Sequence, residues 1–277
     1  MTKTSIKYFD RIKNIFKKTT KSESSGIPLP PVEEQKRAGP FIGNDYIAFG
    51  KKQKDILLRL GVIDSSFKIL EPGCGNARVS RHLLGEIDDT KGGELHGFDI
   101  CQQSVEWASD NITKIAPHFI YKHLPNDRLD ASVVFPYDDN YFDFCFSRSL
   151  FTHLNRDTTE AYIREISRVC KDGAFVYTTF FCFPANLDKD TFSSWKSKSD
   201  FLSQMRPLQS DGVSYANHAM KTFIIDHGWL TETIKDAGFE IIKSPLSRWF
   251  DESTGAQIVG SDSQVGWIFE KKKDKVS

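Results

Sequence analysis

The chain has no two cysteines close enough in sequence to form a metal clamp or a redox pair. Its five cysteines, at 74, 101, 145, 170 and 182, are scattered and odd in number. That argues against a disulfide framework and for reduced thiols in a cytoplasmic protein. No set of His, Asp and Glu has metal-ligand spacing, so no metal is expected. Long apolar runs are missing too: none reaches the roughly 18 residues that a membrane span needs. Neither charge sign dominates, because 37 basic and 37 acidic residues cancel, and no overall field draws the chain to nucleic acid. Internal repeats are absent.

What is present begins with a basic, amphipathic start. Residues 1–21 carry seven Lys/Arg against one Asp, with Ile6, Phe9, Ile12, Ile15 and Phe16 at helical spacing. No apolar h-region accompanies them, so the segment does not read as a secretory signal. Two readings stay open: a solvated extension, or a helix lying on an anionic membrane surface as a peripheral contact. Residues 19–42, rich in Ser, Pro and charge, read as a linker. The extension and linker together span 1–42, the folded domain 43–272, and a charged tail 273–277.

Inside the domain, a helix over about 45–62 precedes an alternation of strands and helices. Strands are expected at 67–70, 94–99, 119–121, 142–146, 174–181, 239–242 and 265–269. Helices are expected after the first glycine turn (Val79, Leu83, Leu84, Ile87), at 102–114, at 156–170 and near 224–237. Such alternation implies an α/β, Rossmann-like three-layer sandwich around a mostly parallel sheet. Residues 183–222 show no clean periodicity and read either as a lid over the site or as a variable surface loop.

The stretch KILEPGCGNARVS, residues 68–80, reads strand, glycine turn, helix, a geometry that aims backbone N–H groups into a crevice. A dinucleotide would want G-x-G-x-x-G with no acid beside the pyrophosphate. Here the strand ends on Glu71, and Gly73 and Gly75 are followed by Asn76, Ala77 and Arg78. A carboxylate there repels a pyrophosphate but suits the ammonium and sulfonium of S-adenosyl-L-methionine (SAM). Asp99, ending the next strand, stands where an acid accepts hydrogen bonds from ribose hydroxyls; its other reading is a helix cap.

The successive stretches ILEPGCGNAR, LHGFDI, FPYDDNYFDFCFSRSLFTHL and YIREISRVCKDGAFVYTTFF resemble the motifs of class I SAM-dependent methyltransferases. They are most similar to the group patterned FPF…FD…SVFTHL…RVLKPGG…TFF. The resemblance covers roughly residues 40–270 and implies a seven-stranded sheet, its last strand antiparallel. It implies that Glu71, Gly73, Cys74, Gly75 and Asn76 hold the methionine part of SAM and that Asp99 and Ile100 hold the ribose. Asn126 or Asp127 would lie near the adenine, and Ser147 near the methyl. The chain departs from the pattern at Ala77, where a glycine is usual, at Asp172-Gly173 for Pro-Gly, and after the third strand, where the usual acid is missing.

Methyl transfer to a hydroxyl needs a base. His153, in the segment after the fourth strand, is the candidate, its other reading being a structural histidine that braces that turn. Arg148 pairs either with an anionic acceptor or with a surface partner. Trp229 and Trp249, with Trp195, His218 and His227, are candidate contacts for a small-molecule or glycan acceptor. Asp143 reads as strand packing. The expected activity is O-methylation. A SAM-binding scaffold without catalysis and an NAD-dependent oxidoreductase are the rivals.

Overall fold

A computed structural model describes residues 26–126, 130–182, 193–194, 197, 206–207, 215–217, 222–243 and 264–273. The basic segment 1–21, Asp127, Trp195, His218, Trp249 and the last four residues lie outside the described residues. Seven strands make the main sheet: β1 (Lys68–Pro72), β2 (Glu94–Asp99), β3 (Phe119–His123), β4 (Phe142–Ser147), β5 (Cys170–Phe180), β9 (Phe239–Lys243) and β10 (Val265–Lys271). Their order is β3-β2-β1-β4-β5-β10-β9. β1 runs parallel to β2 and β4, β2 parallel to β3, and β10 antiparallel to both β5 and β9. The mostly parallel sheet with an antiparallel last strand is the one expected. Its described helices are α1 (Val32–Arg37), α2 (Asn44–Arg59), α3 (Gln102–Ala108), α4 (Arg156–Val169) and α5 (His227–Asp236).

The chain divides into two compact units: residues 1–127 with 141–146, and residues 128–140 with 147–277. In the first, Ile69, Leu70, Leu95, Phe98, Phe119 and Phe144 form a core excluded from water, as parallel strands covered on both faces require. Gly97 has no room for a side chain, since a Cβ there would meet the Cys74 Cβ at 2.8 Å and the Tyr121 ring at 2.8 Å. The glycine turn can therefore sit directly on β2.

In the second unit, Asn155 caps α4 by accepting the Thr158 N–H at 2.9 Å. Asp157 in the first turn and Arg168 in the last complement the helix dipole. Tyr162, Ile163, Ile166 and Val169 form its buried stripe. Arg168 donates to the carbonyls of Phe135 (3.0 Å) and Tyr137 (2.9 Å) and to the Asp139 carboxylate. Phe135 itself packs edge-on against Tyr162 at 5.2 Å. The FPYDD stretch is thus a structural fastening of α4.

Three expectations change. The helix expected after the glycine turn is a series of turns with one short 3₁₀ stretch, Ser80–His82. Ala77 adopts a left-handed φ of 60°, which breaks a right-handed helix at its start. The linker expected over 19–42 contains, from residue 26 on, the helix α1 and a set of bonds to the glycine turn described below. Within 183–222, short strands β6 (Arg206–Pro207), β7 (Tyr215–Asn217) and β8 (Thr222–Ile224) pair antiparallel into a separate small sheet.

Candidate cofactor crevice

β1 delivers Glu71 opposite Gly97 of β2, so Asp99 emerges two residues further along the neighbouring strand. The chain then reverses: the N–H groups of Gly73 and Cys74 both donate to the Phe98 carbonyl, at 2.8 and 3.0 Å. Gly73 and Gly75 take positive φ, 71° and 53°, which glycine adopts without strain. Nothing lies within 4 Å of the position a Gly75 Cβ would fill, so this part of the turn faces open space.

Asp99 ties the turn together. One carboxylate oxygen accepts the Gly75 N–H at 2.8 Å, the other the Cys101 N–H at 2.9 Å just before α3. Burial nevertheless raises its pKa, outweighing the backbone N–H bonds from Cys101, Gly75 and Ile100. The cap reading of Asp99 is half right: it holds the residue preceding α3, and it also grips the glycine turn.

Glu71 is 3% exposed, and its Oε2 meets no hydrogen-bond partner. Burial pushes its pKa up to about 8, against the opposing pull of the Ser80 hydroxyl and the Arg78 charge. An uncompensated buried carboxyl is costly, and a cation beside it would remove that cost. Ser80, within 3.1 Å of the Tyr121 hydroxyl, and Tyr121 itself line the same region. No reading of the sequence singled them out, because the expected helix would have turned Ser80 elsewhere. Cys74 is buried, and its thiol is raised well above the ordinary value by burial and by the charges of Asp99 and Glu71, so it is no nucleophile.

Among the other expected residues, Asn76 and Asn126 are buried and Ile100 is half-exposed, all in the first unit. The Ile100 carbonyl lies 3.1 Å from the His123 ring nitrogen. Ser147, Arg148, His153 and Trp229 belong to the second unit. Arg148 bonds through one guanidinium nitrogen to Ser149 Oγ (3.1 Å), Thr179 Oγ1 (3.3 Å) and Gln264 Oε1. His153 ends the short turn Phe151–His153 with its side chain exposed. The Arg156 guanidinium covers the Trp229 ring at 4.3 Å, which occupies a face that a stacking acceptor would need. Asp143 accepts the Lys68 N–H at 3.0 Å and is strand packing, as expected. All five cysteines are free thiols. Among the described residues no cluster could hold a metal, and no helix is long and apolar enough to cross a membrane.

Residues 70–178 match the family described as "Methyltransferase domain". The chain carries a class I SAM-dependent methyltransferase domain. Solved structures share the fold of this methyltransferase at low identity. A methyltransferase from Bacillus halodurans C-125 is 13% identical, with a TM-score of 0.51, over 80% of this chain and all of its own. A sarcosine dimethylglycine methyltransferase from Galdieria sulphuraria is 13% identical, with a TM-score of 0.51, over 97% of this chain and 98% of its own. The [4+2]-cyclase SpnF is 20% identical, with a TM-score of 0.50, over 79% and 76%. A cyclase on this fold shows that the fold alone does not fix the reaction.

The cofactor of the methyltransferase is SAM, and the crevice fits it. The orphaned, buried Glu71 oxygen is complementary to a cation, and the open glycine turn gives a ligand room to approach the backbone.

Proposed function

We propose that this methyltransferase transfers a methyl group to a hydroxyl of a small molecule or glycan in the cytoplasm. The observation that carries the reading is the buried Glu71 carboxyl, one oxygen of which meets no hydrogen-bond partner, next to an open glycine turn that Asp99 holds in place. In this reading Glu71, Gly73, Cys74, Gly75 and Asn76 hold the methionine end, and Asp99 and Ile100 hold the ribose. Asn126 and Ser147 complete the cofactor contacts. SAM supplies an electrophilic methyl on a sulfonium; the chain's own work is orientation and proton handling. His153 would take the proton that the acceptor hydroxyl gives up, while the methyl's bond to sulfur is exchanged for one to oxygen and the sulfonium leaves as a neutral thioether. Its exposure supports this role, because a buried imidazole could not meet an incoming acceptor.

Arg148 is the residue proposed to meet the acceptor, its guanidinium oriented by Ser149, Thr179 and Gln264. Trp249 is a second candidate, whereas the Arg156 stack makes Trp229 the weaker one. Binding of the full chain to SAM, S-adenosylhomocysteine (SAH) and NAD, measured by calorimetry, tests the first half of this reading. SAM and SAH should bind, and NAD should not. Labelled-methyl transfer to a panel of hydroxyl, amine and carbon acceptors tests the second half, and product on nitrogen or carbon alone would sink the hydroxyl assignment. A SAM-binding protein that transfers no methyl is the second reading, kept by the cyclase on the same fold. Transfer to none of the panel would favour it.

A further inference from the structure

Asn76 ends the glycine turn and is fully buried, yet both ends of its amide are engaged outside the turn. Its Nδ2 donates to the Glu34 carbonyl at 2.6 Å, and its Oδ1 accepts from the Tyr46 hydroxyl at 2.7 Å. Arg81, 1% exposed, sends one guanidinium nitrogen to the carbonyls of Ile27 (2.8 Å) and Pro28 (2.9 Å). The Glu34 carboxylate accepts from Ser104 Oγ at 2.9 Å, in the first turn of α3. Residues 26–43 therefore bridge the two elements that follow β1 and β2, the strands that end in Glu71 and Asp99.

The segment also closes on itself. Gln35, 3% exposed, donates to the Pro30 carbonyl at 2.6 Å and accepts the Gly43 N–H at 2.7 Å. Beyond it, Phe41 stacks on Phe49 of α2 at 4.6 Å, and the Arg78 guanidinium lies 4.2 Å from the Phe49 ring centroid and 5.8 Å from that of Phe41. The Arg81 bonds explain why the bridge is more than filler. A buried guanidinium is costly without acceptors, and beside its interaction with the Tyr46 side chain that of Arg81 takes two acceptors from the backbone of the bridging segment. If the segment left, Asn76 would lose one of its anchors and Arg81 two.

We propose that residues 26–43 form a strap whose docking is energetically coupled to cofactor binding through Asn76 and Arg81, with Asn76 as the positioning residue of the glycine turn. The inference rests on the assignment of SAM to that turn. A ligand that needs the ordered turn binds the docked form better, so it must shift the strap toward docking by the same factor by which docking raises its affinity.

Hydrogen exchange on the full chain, with and without SAH, reads the coupling directly. SAH should slow exchange across residues 30–43, although none of these is assigned to contact it. Gln35→Ala removes the internal brace without touching the turn. It should weaken SAH binding about tenfold, the scale of one lost buried hydrogen bond, and reduce the protection of the strap. SAH binding with unchanged strap exchange, and wild-type affinity in Gln35→Ala, would overturn the coupling and leave the cofactor assignment standing. A full chain that binds no SAH at all would overturn the assignment itself, and the coupling with it.

Discussion

The turn after β1 and the turn after β4 treat their polar groups in opposite ways. From the end of β1 on, Glu71, Asn76 and Arg81 are buried at 3%, 0% and 1% exposure, and Asn76 and Arg81 hold backbone carbonyls of residues 26–43. After β4, Ser147 is buried, but Arg148 and Ser149 are half-buried and His153 is exposed. Each turn spends one left-handed non-glycine residue, Ala77 at φ 60° and Ser149 at φ 65°. A cofactor common to a family is met by buried, backbone-determined geometry. Under the proposed function, the acceptor would be met by side chains on the more open turn.

The largest expected effect lies in the open turn. His153→Ala should lower turnover about 10²–10⁴-fold with SAM affinity nearly unchanged. Steady-state kinetics with an identified acceptor checks this; a variant that keeps most of its turnover would remove the base from that turn.

Next comes the closed turn. Asp99→Ala should cost cofactor binding about 1–3 kcal/mol, and here the melting temperature should fall as well, because the Gly75 and Cys101 N–H groups both lose their acceptor. Calorimetry and a thermal melt together decide it. Weaker binding with an unchanged melt would mean that Asp99 only grips the ligand.

A smaller effect follows from the charge of Glu71. In the unfolded chain this acid ionises near 4.5, in the fold only near 8. The ligand-free fold therefore loses stability as pH rises from about 4.5 through about 8. A cationic ligand binds the ionised form, so SAM affinity should climb over the same window, with proton release at pH 7. Glu71→Gln should flatten that climb and leave the ligand-free protein more stable at pH 8. Affinity that does not vary with pH in the wild type would show that the cation is held elsewhere.

The smallest effect sets the two strained residues side by side. Ala77→Gly relieves a left-handed backbone that costs about 1–2 kcal/mol, offset by about 0.5–1 kcal/mol of glycine entropy. A change between about 0 and about 1.5 kcal/mol, in the stabilising direction, is expected. Ser149→Gly obtains the same relief but loses the Oγ that accepts from Gln264 Nε2 at 2.9 Å and from Arg148, so it should come out less stable than Ala77→Gly. Denaturant melts compare them, and the reverse ranking would mean the Ser149 network carries no stability.

Much of this was legible from residues alone. Apolar runs of β character gave all seven main strands to within a few residues at their ends, and the period of Tyr162, Ile163, Ile166 and Val169 gave α4. Glu71 and Asp99, near the ends of neighbouring strands, were the sequence's pointer to the crevice, although Asp99 also had a reading as a helix cap. The helix after the glycine turn was misread. Its periodicity is real, but burial of Val79, Leu83 and Ile87 can be achieved by turns once Ala77 reverses the chain. The strap was hidden for a different reason: a proline-rich, charged segment looks the same whether its backbone meets water or meets Arg81.

The sequence by itself determined the order of the seven main strands, the lack of a metal-ligand motif in the chain's pattern and the two acids, Glu71 and Asp99, proposed to meet the cofactor, because these depend on local pattern and residue chemistry. Only the tertiary structure decided that Glu71 lies buried with one oxygen unbonded, that Asp99 holds the turn it was expected to serve, and that residues 26–43 close over Asn76 and Arg81. Each of those depends on which groups are removed from water together, and burial is a property of the folded neighbourhood that no single stretch of chain contains.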